Sequence, residues 1–239
     1  MTRRRWIADE VSGDRAIITG EHARHLAQVL RAKVGQEFDI STGSEVRRGC
    51  VARVAQDRVE FDLLDRIVTP APSAITVALS IFKFDRMEWA IEKCTELGVA
   101  KLIPVVAART EPHLATAAPK RVERWQRIAS AAAEQSRRIS PPEISSPLRL
   151  VDLIASVSGR RIVLSEIEAD VTLKEAIPQQ APSLALAFGP EGGWKDDELA
   201  SFVSAGWTSA SLGPTILRAE TAIIAAVAVV LAFGTPYVS

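Results

Sequence analysis

Between residues 75 and 233, short apolar runs alternate with stretches of helical periodicity, and this pattern constrains the fold more than any other feature. Ile75 to Phe82, Lys101 to Val106, Arg161 to Leu164, Leu184 to Phe188 and Ala210 to Leu212 read as strands. Helices are predicted over Asp85 to Leu97, Arg121 to Arg138, Asp196 to Ala205 and Ala219 to Phe233. In the first, Asp85 is placed as N-cap with Glu88 at the capping-box position, and Gly98 as its end. Strands that alternate with helices predict an α/β domain with a parallel sheet. Aromatic residues are only 5% of the chain against 47% hydrophobic, so aliphatic side chains must fill its core.

The first stretch reads differently. Arg5 to Ile7, Ala16 to Ile18, Glu37 to Ile40, Gly49 to Val54 and Val59 to Leu64 are β-type runs. In the last, Val59, Phe61 and Leu63 alternate with Glu60 and Asp62, the pattern of a half-buried strand. One helix interrupts them, Glu21 to Arg31, with Leu26, Val29 and Leu30 as its apolar stripe. Short strands around one helix suggest a small barrel. Thr69-Pro70-Ala71-Pro72-Ser73 reads as a linker, because two such prolines disfavour both helix and central strand. This gives a small domain over residues 1–70 and a larger one over 73–239.

Composition excludes several classes. Lysine plus arginine and aspartate plus glutamate number 29 each, so global charge does not mark a nucleic-acid partner. Local charge is more pointed: Arg3, Arg4 and Arg5 open the chain, and basic residues crowd Lys120 to Arg138. Cys50 and Cys94 form no Cys-x-x-Cys pair, which fits a cytoplasmic protein without a disulfide framework. No apolar segment follows the N-terminal arginines as a signal peptide requires, and the longest apolar run, Ala222 to Phe233, is too short to span a bilayer. His22 and His25 lack further ligands, so no metal and no membrane partner is expected.

Three strand ends carry candidate chemistry, since ligands of open α/β sheets bind beyond the carboxyl ends of strands. Phe188-Gly189-Pro190-Glu191-Gly192-Gly193-Trp194 follows one strand directly. Its glycines permit a backbone close to a ligand. It is neither Gly-x-Gly-x-x-Gly nor a Gly-Lys-Ser/Thr loop, which argues against dinucleotide and nucleoside-triphosphate chemistry. Leu212-Gly213-Pro214-Thr215-Ile216-Leu217-Arg218-Ala219-Glu220-Thr221-Ala222 places apolar residues inside a turn, where they can wall a flat ring. Leu164-Ser165-Glu166 is the third. Each also has a plainer reading, as an ordinary turn or a charged helix start.

Taken together these blocks resemble the RsmE-type 16S rRNA (uracil-N3)-methyltransferases of the SPOUT superfamily. Gly-Pro-Glu-Gly-Gly from Gly189, and Leu212-Gly213 followed by Ile216-Leu217-Arg218 and Glu220-Thr221-Ala222, look like that family's paired C-terminal motifs. Asp85-Arg86-Met87-Glu88 with Lys93 to Val99, Ala133-Glu134-Gln135-Ser136 with Arg138, and His25-Leu26 with Val29-Leu30-Arg31 resemble its other motifs in order. Thr215 stands where arginine is expected, and Arg137 where glycine is usual.

The resemblance implies an N-terminal PUA-like β-barrel and a C-terminal domain threaded into a deep trefoil knot. It implies S-adenosyl-L-methionine held by Leu164, Glu166, residues 188–193, Leu212, Gly213, Ile216 to Arg218 and Glu220 to Ala222. It implies a homodimer acting on 16S rRNA, within the small ribosomal subunit. Arg3, Arg4, Arg5, His25, Arg31, Arg86, Arg124, Arg127 and Gln135 are then candidates to hold RNA. Arg218 or Arg138 is a candidate to stabilise the uracil anion, and Glu134 or water to take its proton. Two alternatives remain: the same class of enzyme on another RNA nucleotide, and an RNA-binding module without catalysis.

Overall fold

The computed structural model describes residues 5–69, 73–178 and 183–233, so Arg3, Arg4 and residues 70–72 of the linker lie outside the described residues. The chain divides into two compact units. One comprises Met1–Pro70 with Ala133–Ser140, the other Ala71–Ala132 with Pro141–Ser239.

The first unit is built on β1 (Arg5–Ile7), β2 (Glu10–Ser12), β3 (Arg15–Thr19), α1 (Gly20–Arg24), β4 (Glu37–Ser41), β5 (Val46–Val54) and β6 (Arg58–Ile67). The strands form one sheet in the order β1-β4-β5-β6-β3-β2, antiparallel except for β1 against β4. Val59, Phe61 and Leu63 on β6 point inward with Ile18, Phe38 and Ile40. The predicted helix Glu21 to Arg31 is shorter. After α1 the chain takes a π-helical turn over His25–Val29. Because a π turn carries an extra residue, the stripe shifts: Leu26 is fully buried but Val29 is 66% exposed. Arg31 then adopts φ 50°.

The second unit runs β7 (Ile75–Ser80), α2 (Phe84–Glu96), β8 (Lys101–Val106), α3 (Pro112–Ala117), α4 (Val122–Gln135), β9 (Glu143–Ile144), β10 (Leu148–Arg149), α5 (Leu150–Ser156), β11 (Arg160–Leu164), α6 (Leu173–Ala176), β12 (Leu184–Phe188), α7 (Asp196–Ser204), β13 (Thr208–Ala210) and α8 (Ala219–Phe233). Its sheet is wholly parallel, in the order β10-β8-β7-β12-β11-β13, with β9 added beside β8. The expected α/β class is therefore observed. All five residues of β12 are buried, as a central parallel strand covered on both faces requires.

Side-chain size alternates along the two central strands, β7 and β12. Val77, Leu79, Leu184, Leu186 and Phe188 face a core shared with α2, α4 and α8. Ala78, Ala185 and Ala187 face the other way. On that face, the room left by alanine is filled by Trp194, Phe202 and Trp207, stacked edge to face with centroids 4.9 Å apart in each step. Several boundaries differ from expectation: β7 ends at Ser80 rather than Phe82, and β13 runs Thr208–Ala210 rather than Ala210 to Leu212. Helix α2 starts at Phe84 with no side-chain cap, so Asp85 lies in its first turn, where its charge favours the helix dipole. Helix α4 ends at Gln135 rather than Arg138, because Arg137 turns the chain at φ 59°.

Candidate functional site

Strand register brings the candidate loops together. Leu164 pairs with Phe188 and Ala210, and Phe188 with Leu79, so β11, β12 and β13 end level with one another at the middle of the sheet. The segments that follow enclose a cavity of about 300 Å³ in the second unit. Leu164, Glu166, Phe188, Gly189, Pro190, Glu191, Gly193, Leu212, Gly213, Ile216, Leu217, Arg218 and Ala222 all line it. Gly192, Glu220 and Thr221 do not. Ser165, Thr215, Ala219 and Arg86 also line the wall. Of these, Arg86 had been read as an RNA contact.

Local geometry explains the glycine spacing. The Gly193 amide donates to the Pro190 carbonyl at 2.8 Å, closing the turn. Gly193 has φ 71°, and a Cβ there would overlap the Glu166 carboxylate. The turn thus lies against the Glu166 carboxylate, and its positive φ favours glycine there. The walls combine apolar surface from Leu164, Phe188, Leu212 and Leu217 with charges of both signs, Glu166 and Glu191 against Arg86 and Arg218. Arg86 donates to Glu191 Oε1 at 2.7 Å, and its Nε lies 3.9 Å from Glu220 Oε1. Glu220 Oε2 is buried with no hydrogen-bond partner among the described residues. Such a cavity suits a ligand with a flat ring, hydroxyls for Glu166 and a zwitterionic end.

The other candidates lie elsewhere. Glu134 and Arg138 do not line the cavity. Glu134 belongs to the first unit and sits 2.9 Å from His22 Nε2. That hydrogen bond raises the His22 pKa, reinforced by the charges of Glu134, Asp9 and Glu21 and opposed by burial. Burial lowers the pKa of Arg138. Arg5 donates to the Arg137 carbonyl, and its own pKa is lowered chiefly by burial. His25 packs beside Trp6, with ring centroids 5.7 Å apart. Arg124 grips Glu88 with two hydrogen bonds, at 2.6 and 2.8 Å. Arg127 and Gln135 are exposed on α4. Among the described residues no His, Cys, Asp and Glu side chains gather as a metal site, and no helix is long and apolar enough to cross a membrane.

Two residues that the sequence did not single out buttress the glycine turn from behind. Arg109 donates to the carbonyls of Gly192 and Trp194. Glu198, 6% exposed, accepts from the Ala108 and Lys195 amides. The Lys195 contact is local to the start of α7, but no local pattern signals the contacts of Arg109 or the one between Glu198 and Ala108.

Comparison with known proteins agrees with this geometry. An RNA methyltransferase domain family matches residues 69–231. The ribosomal RNA small subunit methyltransferase E of Mycobacterium bovis is 32% identical over 227 residues, which is 92% of this chain and 87% of that protein. The ribosomal RNA small subunit methyltransferase E of Neisseria gonorrhoeae, solved bound to S-adenosyl methionine, superposes with a TM-score of 0.84. It is 27% identical, and the match covers 96% of this chain and 97% of that one. A Legionella pneumophila protein solved with bound SAM gives a TM-score of 0.81 at 28% identity, over 98% of both chains.

Proposed function

Because this chain belongs to the ribosomal RNA small subunit methyltransferase E family, we propose that it methylates N3 of one uridine in 16S rRNA and binds its donor in the cavity at the ends of β11, β12 and β13. It is an S-adenosyl-L-methionine-dependent rRNA methyltransferase. The observation that carries the placement of the donor is the fit of the turn itself. Gly193 is held against Glu166, with apolar walls on either side. When bound, the donor supplies a sulfonium-activated methyl group, so the protein's task is alignment and electrostatics.

Glu166 is placed to accept from ligand hydroxyls, while Leu164, Phe188, Leu212 and Leu217 exclude water. Arg218 lines the wall and makes no ion pair among the described residues. We assign it to stabilise the negative charge that grows on uracil as N3 loses its proton. Glu134 is engaged by His22, which supports water as the proton acceptor. N3 lies on the Watson–Crick edge, so the base must be unpaired or swung out when it reacts.

We read the second unit as a SPOUT domain with a trefoil knot and the first as a PUA-like barrel that holds RNA. The protein is read as a cytoplasmic homodimer acting on the small ribosomal subunit. Ile216, 82% exposed on the cavity rim, supports cover from a second subunit. The test is labelled methyl transfer to 30S subunits and to free 16S rRNA lacking the mark, followed by nucleoside mass spectrometry. The expected product is 3-methyluridine at one position. Normal donor binding without 3-methyluridine overturns the acceptor assignment.

A further inference from the structure

The loop between β8 and α3 and the loop between β12 and α7 are laced together in both directions. From the second to the first, the buried Glu198 carboxylate accepts the Ala108 amide on Oε1 at 2.8 Å. From the first turn of α7, its Oε2 accepts the amide of Lys195, the last residue of the β12–α7 loop, at 2.9 Å. From the first to the second, Arg109 extends its guanidinium to the Gly192 carbonyl and, at 3.3 Å, to that of Trp194. The anchoring loop is itself fixed. Thr110 Oγ1 accepts the Ala107 amide at 3.1 Å and lies 3.3 Å from the Ile81 carbonyl. Neither Arg109 nor Glu198 lines the cavity.

We propose that Arg109 and Glu198 are positioning residues for the donor site, holding the Gly189–Gly193 turn in its binding shape before the donor arrives. The proposal rests on reading the cavity as that site. The physical need is clear from the turn's composition. Three glycines in five residues leave a backbone with many accessible conformations, and ordering each residue costs conformational entropy. A turn ordered in advance spares the donor that cost on binding. Both carbonyls accept from one nitrogen, Nη1, whose N–H directions are fixed by the guanidinium plane, whereas a lysine ammonium rotates freely and gives less geometric control. Gly192 also acquires a role. It does not line the cavity, but a Cβ there would stand 3.3 Å from Arg109 Cδ, so the arginine stem packs directly on it.

Arg109→Ala, Arg109→Lys and Glu198→Gln, each in the full-length protein, test this with three readouts. The first is amide hydrogen exchange without donor. The second is calorimetry with S-adenosyl-L-methionine, and the third is steady-state methyl transfer. In Arg109→Ala the amides of Gly189 and of residues 191–195 are expected to exchange faster. Donor Kd and KM are expected to rise by about tenfold or more, with kcat and rRNA affinity near wild type. Arg109→Lys is expected to fall between, and it keeps the test decisive if the alanine variant folds poorly. Unchanged exchange at 189–195 overturns the latch. Faster exchange with unchanged donor affinity, or donor and rRNA affinity falling together, overturns the positioning role. Wild-type protein that binds no donor overturns the reading of the cavity and the positioning role with it, whatever the exchange data show.

Discussion

Arg86 Nη1 lies 2.7 Å from Glu191 Oε1, so the first turn of α2 is tied to the glycine turn that follows β12. Its Nε also stands 3.9 Å from Glu220 Oε1 at the start of α8. One guanidinium therefore sets two of the segments around the cavity. Arg86→Ala is expected to weaken donor binding measured by calorimetry, and to lower stability by about 1 kcal/mol, since the partners are partly exposed. If the variant binds donor normally and loses only rRNA affinity, Arg86 is an RNA contact, as the sequence first suggested.

Gly193→Val is expected to abolish donor binding while the protein remains folded. The residue sits at φ 71°, and its Cβ would displace Glu166. Gly192→Ala meets only the flexible Arg109 stem and is expected to do less. Melting temperature and donor affinity measured on both separate a strained turn from a blocked site. Wild-type affinity in folded Gly193→Val would refute the placement of the donor.

Arg124 and Arg127 both lie on the exposed side of α4 but stand in different surroundings. Arg124 is committed to Glu88, so its reversal puts two carboxylates together and is expected to lower the melting temperature. Arg127 has no such partner among the described residues. Arg127→Glu is expected to leave melting unchanged and to weaken rRNA binding. The slope of log affinity against log salt should fall by about one. An unchanged slope means this part of α4 does not face RNA.

His22 gives the first unit a pH dependence of definite sign. Its folded pKa is raised above the ordinary 6.5, first by the hydrogen bond to Glu134. Protonated His22 therefore favours the folded state. That contribution is complete below about pH 6.5 and is lost as pH rises through the raised folded value. Between about pH 6 and pH 8, the wild-type melting temperature is expected to fall more than that of His22→Gln. Parallel curves would remove the pair from the account.

Arg137 occupies a left-handed turn at φ 59°, and the sequence had marked this position as one where glycine is usual. Arg137→Gly is expected to stay within about 0.5 kcal/mol of wild type, because relief of strain offsets the looser unfolded chain. Arg137→Val is expected to cost more than about 1 kcal/mol. The Arg5 contact is to the Arg137 backbone carbonyl, so neither change removes it. Urea denaturation of both variants decides.

That position also shows what a sequence yields. The parallel sheet was legible because runs such as Leu184–Phe188 are apolar throughout, and the loops after them because glycine and proline interrupt them. Glu166, Gly193 and Arg218 followed from the same punctuation. Exact helix ends were not. Asp85 looked like a cap although the helix starts at Phe84, and the π turn at His25–Val29 broke a stripe that ordinary helical spacing drew through Val29. The Arg109 contacts, the Glu198–Ala108 contact and the engagement of Glu134 by His22 were illegible, because each joins residues far apart in the chain. Arg86 was legible as a motif residue and a candidate RNA contact, while its place beside Glu191 is visible only in the fold.

The return of Ala133–Ser140 to the first unit bears on how the protein is made. Those residues supply Glu134 to His22, the Arg137 carbonyl to Arg5 and the Ile139 carbonyl to the Ser41 hydroxyl. On a nascent chain they emerge only after β7, α2, β8, α3 and most of α4 have been synthesised. Synthesis to residue 70 therefore leaves the first unit unfinished. Its closing contacts form late, and a fragment cut at the proline linker would carry every strand of its sheet while lacking the segment that fastens them.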